Sequence, residues 1–149
     1  AVRVLAQGML DLRLLDANQV GSLDDVIEKR AYNPFYMHRT SHWLGRDVHD
    51  CGDYNEPSEL AQAQQKTDPL TGNTVVQRPS RILREGMVMT LEPGIYVRPA
   101  PGVPEQFHHI GIRIEDDAVV TAQGCELLTR GVPVEADAIE ALMREDAGH

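Results

Sequence analysis

An α+β domain, with helices packed on a curved antiparallel sheet, is what three features of the 149 residues predict. Apolar residues recur at helical spacing near both ends of the chain, and the middle carries β-forming runs punctuated by a Pro-Gly turn. No internal repeat interrupts this order, and the length is that of one domain with a real core.

Val2, Leu5, Met9 and Leu12 mark the first amphipathic helix. No N-cap residue or polar lead-in precedes Val2, so the chain is expected to begin inside a larger domain. Ser22 with Asp25 three positions on forms a capping-box start to a short helix running to about Arg30, which Asn33-Pro34 stops. From about 55 to 80 the composition turns to Gln, Pro, Thr, Asn and Gly, predicting an exposed excursion, a loop or hairpin. Gly86 to Glu92 reads as a strand closed by Pro93-Gly94, and Ile95-Tyr96-Val97 resumes extended structure. His109 to Thr121 alternates. Ile110, Ile112 and Ile114 are expected on a core face, with Gly111, Arg113 and Glu115 on a polar, functional one. Val134, Ala138 and Leu142 predict a C-terminal helix entered through Pro133, with Glu135 and Asp137 in its first turn.

Composition excludes several function classes. Against 23 Asp+Glu the chain has 14 Lys+Arg, a net charge of -9 that disfavours phosphate backbones and anionic lipid, so neither nucleic acid nor membrane is an expected partner. No apolar run approaches the roughly 18 residues of a spanning helix. Cys51 and Cys125 form no CxxC pair, which argues against a disulfide framework or a zinc-thiolate site and for a reducing, cytoplasmic setting.

Three histidines, His38, His42 and His49, fall within twelve residues. A metal or acid-base reading stands beside the plainer one of surface or hydrogen-bonded histidines. Glu92 sits at a strand end on a tight turn, where most glutamates are simply solvated. Glu115, two residues after Arg113 and opposite an isoleucine face, reads as a buried carboxylate needing a cation, or as half of an Arg-Glu ion pair. One imidazole with two carboxylates is a mixed N/O ligand set suited to Mn²⁺, Co²⁺ or Zn²⁺. The sheet would have to bring His42, Glu92 and Glu115 together.

The segments Met37-His38…Ser41-His42-Trp43-Leu44-Gly45…Asp47-Val48-His49-Asp50, Leu91-Glu92-Pro93-Gly94-Ile95-Tyr96 and Gly111-Ile112-Arg113-Ile114-Glu115-Asp116-Asp117 resemble, in order and spacing, the aminopeptidase P members of the pita-bread metallopeptidase family. The resemblance covers nearly the whole chain and implies the C-terminal half of a pita-bread catalytic domain over residues 1–149. It implies a metal-dependent enzyme that removes an N-terminal residue linked to proline. His42, Glu92 and Glu115 match three ligands of a dinuclear, usually Mn²⁺-dependent site, with Glu115 the bridging carboxylate and Glu92 also a proton carrier. His38 and His49 match two histidines near the substrate, and Arg113 an arginine that supports a ligand carboxylate. The family's two aspartate ligands and a further histidine lie upstream of the first motif and have no match in this chain. At most one weakly held ion, low or no activity alone, and self-association into homo-oligomers are therefore expected. Two alternatives are prolidase, which accepts only dipeptides, and a non-catalytic binding module on the same fold.

Overall fold

Helices form where apolar spacing and local caps agree. In the computed structural model, which describes residues 1–57 and 62–145, the chain opens with α1 (Val2–Asp11), α2 (Ala17–Val20) and α3 (Leu23–Glu28). Ala6 and Met9 of α1 are fully buried against Val26 of α3, and Leu14, Leu15, Phe35, Tyr36 and Val97 complete the main core. Each of the larger apolar side chains removed from water contributes roughly 1.5–3 kcal/mol.

The capping box at α3 is present: Asp25 N–H donates to Ser22 Oγ at 3.2 Å, and Ser22 N–H donates to the Asp25 carboxylate at 2.9 Å. The helix ends at Glu28 rather than at Arg30, because Arg30 adopts a left-handed φ of 52° and Ala31 N–H turns back to the Val26 carbonyl. Hydrogen bonds from Ser22, then from Lys29, hold the Asp25 carboxyl well below its ordinary value of 3.8. A depressed carboxyl stabilises the fold above its unfolded pKa and loses that contribution as pH falls below it. The gap in melting temperature between the wild type and Asp25→Asn is therefore expected to be constant from pH 7 to 5 and to shrink between pH 4 and 2. A gap independent of pH would remove the carboxylate from this account.

β1 (Leu44–Gly45) and β2 (Val48–His49) make a small antiparallel hairpin. β3 (Gln64–Thr67) and β4 (Thr74–Gln77) pair as a solvent-exposed hairpin within the excursion expected at 55–80, of which residues 58–61 lie outside the described residues. Its base is tied down by Glu56, 4% exposed, whose carboxylate accepts from Ile82 N–H and Arg84, each at 3.2 Å.

β5 (Val88–Leu91), β8 (Asp116–Thr121) and β9 (Gly124–Leu127) form a three-stranded antiparallel sheet, while β6 (Gly94–Tyr96) pairs with β7 (Gly111–Arg113). The two ladders share one register. Leu91 lies opposite Asp116 on one side of a gap and Gly94 opposite Arg113 on the other, which sets Glu92 opposite Glu115 and Pro93 opposite Ile114. Pro93 has no N–H to continue the ladder, although its carbonyl still accepts from Ile114 N–H at 3.2 Å. On the other edge of β5, residues 40–43 run antiparallel to it: Glu92 N–H donates to the Thr40 carbonyl and Thr90 N–H to the His42 carbonyl, at 2.7 and 2.9 Å.

Three expectations need correction. The run from His109 to Thr121 is two strands, broken at Ile114-Glu115 opposite the proline. Ile110, Ile112 and Ile114 are 42, 58 and 63% exposed rather than core, because among the described residues nothing covers that face. They line an open apolar cleft of about 420 Å³ shared with Leu5, Leu12 and Phe107. Finally, the C-terminal helix α4 (Ala136–Glu145) begins three residues after Pro133, with Val134 ahead of it and Asp137 in its first turn. Its Leu142 is exposed, so its apolar stripe has no seat among the described residues.

Candidate metal centre

The break in the ladder is where the chemistry collects. Residues alternate in direction along a strand, so Thr90 and Glu92 share a face, as do Arg113 and Glu115 across the gap. Two like charges opposite one another destabilise a pair of strands. Arg113 lies between them: its guanidinium is 3.5 Å from Glu92 Oε2, and its Nε is 4.0 Å from Glu115 Oε2.

His42 arrives from the neighbouring segment. Its Nδ1 lies 2.9 Å from the Trp43 carbonyl, which can only accept, so Nδ1 donates to it. That leaves Nε2 facing Glu92 Oε1 at 3.2 Å. One ligand atom from each of His42, Glu92 and Glu115 lies within 4.8 Å of the others. One imidazole nitrogen and two converging carboxylates make an N/O mixture that fits a divalent cation.

Burial divides the three. The side chains of His42 and Glu92 are 11 and 12% exposed, so the solvated reading of Glu92 fails. Glu115, expected buried, is 39% exposed, for the same reason as the isoleucines beside it: no described element lies over that part of the strand. Its ion-pair reading with Arg113 holds at the outer limit of contact.

The remaining histidines flank this cluster. The His49 ring packs on His42 with centroids 4.3 Å apart and planes at 54°, at the exposed end of the β1–β2 hairpin. His38 Nδ1 lies 2.8 Å from the Arg39 carbonyl, and its Nε2 is 2.9 Å from Tyr96 Oη. In the neutral ring Nδ1 donates, and Tyr96 O–H donates to Nε2. Tyr36, His38 and Tyr96 meet edge to face, at centroid distances of 5.0 and 5.4 Å. Gly94 makes room for this: a Cβ there would lie 2.8 Å from Tyr96 Oη and 3.0 Å from the Ile112 carbonyl oxygen.

Two residues escaped the sequence reading. Tyr96 was legible as part of a strand and as the end of a motif, without a role of its own, and Thr90 only as one residue of the strand read from Gly86 to Glu92. Thr90 is 1% exposed; it accepts from His42 N–H and donates to Glu92 Oε1, each at 3.1 Å. Its signal was a hydroxyl two residues before a glutamate on an otherwise apolar strand.

The profile of metallopeptidase family M24 matches residues 18–122, well over half of the chain. The chain belongs to this family. It is 44% identical to the Xaa-Pro aminopeptidase of Escherichia coli K12 over 142 residues, 95% of this chain and 26% of the relative. Among solved structures, the aminopeptidase PepP of Pseudomonas aeruginosa superposes with a TM-score of 0.74 at 42% identity, over 99% of this chain and 28% of that one. A zinc-substituted Escherichia coli aminopeptidase P in complex with product gives 0.70 at 44% identity, over 97 and 27%. The architecture of the M24 chain is thus that of the pita-bread aminopeptidases, and it spans about a quarter of the length of the curated relative it matches.

Proposed function

We propose that the M24 chain carries part of the centre of a Xaa-Pro aminopeptidase, which releases an N-terminal residue linked to proline. The observation that carries this reading is the convergence of His42, Glu92 and Glu115 at the ladder gap. These three would hold one divalent cation, from a mixed imidazole and carboxylate set that suits Mn²⁺, Co²⁺ or Zn²⁺, and the resemblance to the aminopeptidase P members points to Mn²⁺ among them. When bound, the cation supplies Lewis-acid stabilisation of charge developing on the scissile carbonyl.

The chain's own groups supply the rest. Glu92 Oε1 is taken by Thr90, which leaves Oε2 to accept a proton from an attacking water and return it to the leaving amine. Arg113 beside Oε2 keeps that carboxylate in place. His49, packed at a tilt against His42 at the open edge, presents an imidazole donor to the carbonyl oxygen as it gains charge. The Tyr36-His38-Tyr96 corner offers flat walls for a pyrrolidine ring, whose tertiary amide and fixed φ call for a dedicated pocket. Peptides with proline second are the substrates this predicts. The exposed, unpaired Cys51 and Cys125 accord with a cytoplasmic setting. Copies meeting over the open isoleucine face would make the homo-oligomer expected from the sequence.

The test is hydrolysis of a short Xaa-Pro-Xaa peptide by the purified chain with added Mn²⁺, beside His42→Ala. Slow release of the first residue, lost in the variant, is expected. Release that survives His42→Ala would overturn the assignment, and cleavage of Xaa-Pro dipeptides alone would move it to prolidase.

A further inference from the structure

We infer that Thr90 is a positioning residue that sets the metal site by locking two of its ligands to one hydroxyl. The inference rests on the metal-site reading above and goes beyond its three ligands.

A hydroxyl has one proton to give, and Thr90 has no freedom in how it is given. His42 N–H must be the donor of the 3.1 Å contact to Thr90 Oγ1, so the Thr90 proton is directed to Glu92 Oε1, 3.1 Å away. The bridge therefore runs backbone of His42, hydroxyl of Thr90, carboxylate of Glu92. It crosses from one strand-like segment to the next and ends on the oxygen that His42 Nε2 faces at 3.2 Å. Without it, the Glu92 carboxylate would be free to rotate away from His42. With it, Oε1 and Nε2 are held at one spacing, so that both ligand atoms stay aimed at the place a cation would take.

Burial makes this hold firm. Thr90 is among the largest fully buried side chains of the described residues, and water is excluded from competing for either hydrogen bond. The other Glu92 oxygen faces the half-exposed Arg113 at 3.5 Å. Thr90 thus supplies the buried contact to the carboxylate and Arg113 the exposed one. Partners of this kind around ligands typically alter metal affinity about 10–100-fold when removed.

The experiment compares Mn²⁺ dissociation constants, per folded molecule, for the wild type, Thr90→Val and Thr90→Ser. Thr90→Val keeps the shape and removes the hydroxyl; Thr90→Ser keeps the hydroxyl and removes the methyl. The expected result is affinity weakened about 10–100-fold in Thr90→Val and restored nearly to the wild-type value in Thr90→Ser. Equal affinity in the wild type and Thr90→Val overturns the role of Thr90 while leaving the site intact. Absence of Mn²⁺ uptake by the folded wild type overturns the site itself, and the role of Thr90 with it. Thr90→Ala serves where Thr90→Val does not fold, and failure of both to fold beside a folded Thr90→Ser would assign Thr90 to the core alone.

Discussion

Glu92→Gln is expected to weaken Mn²⁺ binding by about 100-fold or more, past the usual range for residues that only support a ligand, while making the metal-free chain slightly more stable. Both effects have one source. In the metal-free chain Glu92 lies opposite a second carboxylate. An amide removes one of the opposed charges. Relief of a cross-strand like-charge pair is worth about 0.2–1 kcal/mol, or a rise of a few degrees in melting temperature for a chain of this size. The Arg113 contact that is lost is half-exposed and contributes little. Thermal melts without metal and Mn²⁺ titration by calorimetry check the two signs separately. A variant both less stable and unchanged in affinity would refute this account of the gap.

Met9→Ala is expected to cost about 2–5 kcal/mol, a large part of the ~5–15 kcal/mol that holds a typical domain together. Met9 is wholly enclosed by the main core. Truncation leaves a void that helices α1 and α3 cannot close while Leu14 and Leu15 N–H remain bonded to the Met9 carbonyl. Urea unfolding followed by circular dichroism measures the loss. The same core holds Phe35, whose carbonyl accepts from Tyr96 N–H at 2.9 Å, so the His38-Tyr96 corner should loosen first as denaturant rises. A loss under about 1 kcal/mol would show that the cavity collapses, the low end of what such sites allow.

Local signals were legible in the sequence and relational ones were not. Ser22 and Asp25 announced the start of α3 because both partners of a capping box lie within one turn. The alternation of Ile110, Ile112 and Ile114 announced extended structure correctly, yet periodicity says which residues share a face and nothing about what covers it. The strand was split at Ile114-Glu115 because Pro93 on the facing strand withholds an N–H, a fact no window on one strand contains. His42, Glu92 and Glu115 were identifiable by motif, but their convergence depends on register. Thr90 makes both its hydrogen bonds at once, and only the fold shows that they join His42 to Glu92.

The shared register across the proline gap gives the site a parity. Side chains on a strand alternate, so inserting or deleting one residue anywhere in 92–94 or 113–115 would send one carboxylate to the reverse of the sheet, while a two-residue change would return it. A hydrogen-bonded ladder flanks the gap on each side, fixing the phase of both strands before either glutamate is reached. Evolution can therefore lengthen the hairpin at 64–77 freely, as its wholly exposed strands allow, but must count in twos beside the glutamates.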